Sequence, residues 1–353
     1  MSLHSAATIR DFKKESIHKI IDKLGWDSRD IKWSGTISVG ACKIHIETDI
    51  ELLSDLIPMA FAQYFVGEAD KDISSKIRVI YDDADYLLKV PDEHSLLKIY
   101  SADNNDTIPD ILVNWRHLDS DKFTFIQDRD NNIIYFLVRP GFEKSPHIFA
   151  PIFRIFYSKW TGGILLHAAA IGKDDFGILL CGHSGVGKST LSSLCLLDNL
   201  DIVGDDTVSL DTDGTANPTY KSISLCPGFY NNIDAFPARK FCTHWFGKKD
   251  VLYFNKNVKM RQNLPIRAIF MTHSGTKTNI EPLGRNGGIL KLAQYYIKGI
   301  YFEGLNVDKE CVKNIQSLMK DIDFYKITLG PDAKANSELI KQLIKQKEVL
   351  CTN

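Results

Sequence analysis

The chain has 353 residues, 44% hydrophobic and 25% charged, with a formal net charge of −1. That length predicts two domains with real cores, and the near-neutral balance gives no global basis for binding nucleic acid or an anionic membrane. Seven cysteines without a C-x-x-C pair, no apolar run long enough to cross a bilayer and no charged-then-apolar leader predict reduced thiols in a cytoplasmic protein, with neither a disulfide framework nor a zinc site.

Ile9, Phe12, Ile17, Ile20, Ile21 and Leu24 recur at helical spacing up to Gly25, predicting an amphipathic first helix. Segments 36–39 and 43–48 alternate as a half-buried hairpin about Gly40, and 52–66 reads as a helix bent or delimited at Pro58. Strands are predicted at 76–81, 86–90, 96–100, 111–115, 122–126 and 133–138, the last two flanking the turn Asp128-Arg-Asp-Asn-Asn132. The acidic clusters Asp82, Asp83, Asp85 and Asp103, Asp106 lack the spacing of a calcium loop and read as turns, and His45 reads as a packed or solvated strand residue. Residues 1–145 are thus expected to form a smaller α+β domain. Pro140-Gly141 and Pro146 mark its end, and a helix over 147–160 leads into a second domain spanning 146–353.

Segment 163–171 predicts a strand that turns at Gly172-Lys-Asp-Asp and returns as the apolar run before Gly182. Gly182, His183, Ser184, Gly185, Val186, Gly187, Lys188, Ser189 and Thr190 fit the phosphate-binding loop pattern, and Leu191, Leu194, Leu196 and Leu197 give the apolar side of the helix that must follow it. The glycines let backbone N–H groups turn inward, and the helix start adds a partial positive charge facing phosphate. Lys188, expected to face solvent when the loop is empty, would reach the β and γ phosphates of ATP or another nucleoside triphosphate, and Ser189 would hold Mg²⁺. Opposing Ile171 to Gly177 sets His167 across from Cys181, beside the mouth of the loop.

Segment 201–206 predicts a short buried strand ending in Asp205 and Asp206, where ligands of open α/β sheets sit. Two carboxylates near a metal divide the work, one serving the metal and the other accepting a proton from an attacking hydroxyl. The irregular stretch 227–249 holds Arg239, Lys240, His244, Lys248 and Lys249, which fit either a solvated surface or a phosphate or acceptor loop. A strand at 265–272, a helix at 289–297, a strand at 324–329 and a last helix carrying Leu339, Ile340, Leu343 and Ile344 complete the chain.

His167, the Gly182–Thr190 loop and the Asp205-Asp206 pair together resemble the nucleotide-binding core shared by HPr kinase/phosphorylase and phosphoenolpyruvate carboxykinase. The resemblance covers 163–210 well, the rest of the C-terminal half loosely and the first 145 residues not at all. It implies an α/β C-terminal P-loop kinase domain with that superfamily's mixed sheet. It also implies nucleotide and metal binding by Lys188 and Ser189, a place for His167 at the catalytic centre, and a base and a metal ligand shared between Asp205 and Asp206. Where HPr kinases carry Glu-Ile/Val-Arg-Gly, this chain has Tyr230-Asn-Asn-Ile-Asp-Ala-Phe-Pro-Ala-Arg239, so neither HPr as substrate nor phosphorylase activity is implied. The likeness is rather to HPr-kinase-like proteins encoded beside peptide-modification and other biosynthetic genes, some of which phosphorylate serine in a peptide. The expected activity is ATP- and Mg²⁺-dependent transfer of a γ-phosphate to a hydroxyl acceptor such as a serine in a protein or peptide, in a chain able to form homo-oligomers. The alternatives are a small-molecule kinase or carboxykinase-like enzyme and a non-catalytic nucleotide sensor.

Overall fold

A computed structural model of the chain describes residues 21–22, 24–39, 42–61, 65–66, 73, 75–81, 97–100, 111–114, 123–128, 130–138, 148, 163–231, 233, 236–243, 248–255, 257–299, 316–317 and 322–347. The expected first helix up to residue 20, the strand at 86–90, the acidic clusters at 82–85 and 103–106, and the helix at 147–160 apart from Ile148 lie outside them. Among the described residues no helix is long and apolar enough to cross a membrane.

The N-terminal part is an eight-stranded sheet. Trp33–Val39 (β1) and Cys42–Thr48 (β2) form the expected hairpin, with Ile37 opposite Ile44 and Thr36 opposite His45, so the isoleucines share one face and polar residues the other. Helix Glu51–Phe61 (α1) buries Leu53, Leu56, Ile57, Ala60 and Phe61 along one stripe. It stops five residues short of the expected Val66. Pro58 removes a hydrogen bond from its last turn, and the strand-formers Phe65–Val66 (β3) pair with β1 instead. Ser75–Tyr81 (β4), Leu97–Tyr100 (β5), Ile111–Asn114 (β6), Phe123–Asp128 (β7) and Ile133–Val138 (β8) complete the order β3-β1-β2-β4-β8-β7-β6-β5.

The C-terminal part begins with a strand broken in two, Ile164–Leu166 (β9) and Ala168–Lys173 (β10), where one continuous strand was expected. Phe176–Cys181 (β11) returns beside β10 through the two-residue turn Asp174-Asp175, with Asp174 at φ 53°, the left-handed backbone that such hairpin turns need. That tight turn moves the register by one residue from expectation: Ile171 opposes Ile178, Ala168 opposes Cys181, and His167 lies one step beyond the paired strand. Then follow Lys188–Leu197 (α2), Asp201–Gly204 (β12), Val208–Leu210 (β13), Thr215–Pro218 (β14), Ser222–Leu225 (β15) and Pro227–Tyr230 (α3). Ala238–Thr243 (β16) comes next, within the stretch 227–249 that the sequence suggested to be irregular, and Asp250–Phe254 (β17) follows just beyond it; with β15 they make a small three-stranded sheet. Leu264–Ser274 (β18), Asn279–Pro282 (β19), Arg285–Gly299 (α4), Asp323–Leu329 (β20) and Ala333–Gln346 (α5) end the chain.

Strands β11, β18 and β20 are mutually parallel neighbours, and both faces of the central strands are buried. Ala169, Ile171, Ile178 and Leu180 pack on one side, whereas Ala168, Ala170, Leu179 and Cys181 pack on the other. Such burial explains continuous apolar runs without alternation. The pairings also close on themselves: β10 to β11, β11 to β18, β18 to β14, β14 to β13 and β13 to β9, which runs on into β10. Strands β9 and β10 pair with β13 and β12 in one continuing ladder, Leu166 opposite Val208 and Ala170 opposite Gly204. The ladder is interrupted at 167–169 on one strand and 205–207 on the other. Those two gaps bring His167 and Asp206 together.

Candidate functional site

The loop after β11 has the backbone that its glycines predict, with Gly185 at φ 90° and Gly187 at φ 103°, positions where a side chain would be strained. His183, Ser184 and Gly185 are exposed, while Val186, Gly187, Ser189 and Thr190 are half-buried. Lys188 does not face solvent as expected. It is 6% exposed, and its ammonium donates to the carbonyls of Gly182 at 2.7 Å and His183 at 3.1 Å. Burial pushes its pKa down, the charges of Asp205 and Asp206 resist, and Lys249 adds to the depression. The cation thus occupies the carbonyls of its own loop, in a shell that favours an anion beside it.

Asp205 is 3% exposed and accepts from Ser192 Oγ at 2.8 Å and from the Ser189 hydroxyl. Burial raises its carboxyl above the ordinary range even though those hydroxyls and Lys188 pull the other way. Asp206 is half-buried beside His167, whose Nδ1 lies 3.0 Å from the Asp206 carbonyl and 3.2 Å from Oδ1. Both partners are acceptors, so Nδ1 carries the proton. The Tyr220 hydroxyl lies 3.5 Å from Asp206 Oδ2, and the Ser224 amide 3.4 Å from Asp205 Oδ2.

Ser224 arrives on β15, and β17 pairs with β15 so that Asp250 opposes Leu225. Asp250 is buried and accepts from Tyr230 Oη at 2.6 Å, Thr243 Oγ1 at 2.7 Å and Lys240 Nζ at 2.9 Å. Burial pushes Asp250 up, but those donors outweigh it and lower its pKa; the same bond takes the Tyr230 phenol up to about 12. Of the basic stretch, Lys240 is committed to Asp250, Arg239 and Lys248 are exposed, and Lys249 is felt at Lys188; His244 lies outside the described residues. Tyr220, Ser192 and Ser224 belong to no recognisable motif: Ser192 comes from α2, Tyr220 from the connection between β14 and β15, and Ser224 from β15.

The donor set offered by Ser189, Asp205 and Asp206 is all oxygen, which suits Mg²⁺, a cation that keeps most of its water. Among the described residues no group of three or more His, Cys, Asp or Glu side chains is placed to hold a metal on its own. His45 is packed, bonded to Thr36 Oγ1 at 2.9 Å and Ser34 Oγ at 3.2 Å. Cys181, Cys195, Cys226 and Cys242 are free thiols.

No protein-family model matches the chain, and no curated protein matches it. Among solved structures, the Hpr(Ser) kinase/phosphatase from Coxiella burnetii is similar over 52% of this chain and 89% of its own, at 14% identity and a TM-score of 0.26.

Proposed function

We propose that the chain is a nucleoside-triphosphate- and Mg²⁺-dependent phosphotransferase acting on a hydroxyl, with a serine of a protein or peptide as the acceptor class. One observation carries this reading: a glycine loop with its lysine stands at the same sheet edge as two carboxylates of unlike environment and an oriented histidine. A phosphate loop alone would suit a sensor. Transfer also needs a carboxylate within reach of the acceptor proton, and the half-buried Asp206 beside His167 supplies it.

On this reading the Lys188 ammonium leaves the Gly182 and His183 carbonyls for the β and γ phosphates, and Lys249 adds a second cation near the transferred group. Asp205 and Ser189 would hold Mg²⁺, which would supply positive charge against the triphosphate. Asp206 takes the hydroxyl proton as the acceptor oxygen bonds to phosphorus and the diphosphate departs, while His167 fixes its carboxylate. The test is transfer of labelled γ-phosphate into candidate proteins and peptides, with Lys188→Ala as the binding control. The variant should lose at least about tenfold in Mg·ATP affinity by calorimetry. Tight wild-type binding of Mg·ATP without labelling of any acceptor would favour a sensor.

A further inference from the structure

Five strand termini share the edge on which the loop stands. In hydrogen-bonded order these are the end of β12 at Gly204, the start of β10 at Ala168, the end of β11 at Cys181, the end of β18 at Ser274 and the end of β20 at Leu329. They fall together because β10 runs antiparallel to β11 and β12, while β11, β18 and β20 are parallel. Asp205, Asp206 and His167 occupy one flank of the loop. The other flank holds a cleft of about 220 Å³, with Gly187, Thr190 and Leu191 on one side and Leu329, Pro331 and Ala333 on the other.

The far wall is braced before any ligand arrives. Asn336, 5% exposed, donates from Nδ2 to the Gly330 carbonyl at 2.9 Å and accepts from Thr278 Oγ1 at 2.5 Å, and Thr278 Oγ1 accepts from the Gly330 amide at 3.2 Å. Among the described residues no charged side chain lines the cleft, and Leu191, Leu329, Pro331 and Ala333 make its walls away from the glycines largely apolar, so that part suits a neutral group. Its volume is below the roughly 300–1,000 Å³ of pockets that enclose a whole drug-sized ligand. It therefore takes part of a ligand whose remainder lies elsewhere, and it opens directly onto Gly187 and Thr190 of the loop.

We propose that this cleft is the base and ribose subsite of a nucleoside triphosphate, which lies across the sheet edge with its base between the ends of β18 and β20 and its terminal phosphate towards Asp206 and His167. The inference rests on the loop binding phosphates, as the proposed function requires. Calorimetry on the full chain with Mg²⁺ and either ATP or inorganic tripolyphosphate separates the two. Tripolyphosphate should bind more weakly than ATP by at least about tenfold, and Ala333→Trp, which fills the cleft, should bring ATP down to the tripolyphosphate level while changing tripolyphosphate binding by less than about twofold. Equal wild-type affinities, or ATP binding untouched by Ala333→Trp, overturn the subsite but leave the loop. Failure of both ligands to bind overturns the loop assignment and the subsite with it. If the variant also loses tripolyphosphate, photolabelling of wild type with 8-azido-ATP decides: labelled peptides from 274–275 or 329–336 support the subsite, and labelling elsewhere overturns it.

Discussion

Asp205 and Asp206 are neighbours in sequence with different physical lives. Asp205 is buried among the Ser189 and Ser192 hydroxyls with its proton affinity raised, while Asp206 keeps a half-buried carboxylate against His167. Replacing Asp206 by Asn should therefore lower turnover by at least about 10²-fold, the usual cost of losing a general base, with Mg·ATP affinity retained. Asp205→Asn should instead lose the Mg²⁺ dependence of ATP binding. It should also stabilise the ligand-free protein, because a carboxyl whose folded pKa is raised makes the native state bind protons more tightly. Its penalty is present above the folded pKa and fades as pH falls towards the ordinary carboxylate range. Thermal melts in chelator should show Tm higher by a few degrees, on the order of 2–4 °C, at neutral pH, with the gap closing near about pH 4. A variant less stable at both pH values would mean that Asp205 is comfortably charged.

Two elements away from the loop make claims of their own. On the polar face of the N-terminal sheet Glu47 accepts from Arg78 Nε at 3.0 Å and Lys76 Nζ at 3.2 Å and lies 3.4 Å from His45, while Arg78 stacks over Trp26 and Tyr135. Burial pushes Glu47 up, but these partners win and set its pKa at about 2. A carboxyl depressed from 4.5 to about 2 contributes up to about 3 kcal/mol, present above the unfolded pKa and lost as pH falls through the folded one. Glu47→Gln should lower denaturant stability by about 1–3 kcal/mol at neutral pH and converge with wild type as pH approaches about 2. On α4, a Cβ added at Gly288 would sit 2.2 Å from Phe324 Cγ, whereas one at Gly287 finds its nearest atom at 3.8 Å. Helix propensity favours alanine at both by about 1 kcal/mol, but the clash costs about 1–3 kcal/mol. Thermal melts should therefore show Gly287→Ala neutral or stabilising and Gly288→Ala destabilising. Element identity was legible wherever the pattern was local, as in β8, whose bounds match expectation, and in the loop with its flanking strand and helix. Strand β17 was missed because all five of its residues are buried without alternation and it follows a basic run.

At the scale of the whole molecule, one buried cluster joins α1 and the inner face of the N-terminal sheet to β10, β11, β15, β17 and α5. The Lys221 amide donates to the Ala60 carbonyl at 3.0 Å, so backbone as well as side chains bridge the two halves. A fragment beginning at residue 147 would expose the apolar residues of β17 that α1 packs against, and is expected to aggregate or bind a hydrophobic dye and to lose nucleotide affinity. A soluble fragment with full ATP affinity would show instead that residues 146–353 stand alone. None of this was readable from the sequence, since pairings such as β14 with β18 and β13 with β9 depend on contacts between distant segments, and no short pattern encodes them. The meeting of His167 with Asp206 was half legible: the residues were singled out, but their contact is set by the β9–β13 and β10–β12 ladder and not by the hairpin with β11. That ladder fixes how the chain tolerates change in length. An insertion at 167 alone would flip every side chain of either β9 or β10 to the opposite face, and a matching insertion near 207 would be needed to restore both. The two arms of the site can therefore lengthen or shorten only in concert, whereas the exposed turn at Asp174-Asp175 lies away from the site and outside that constraint.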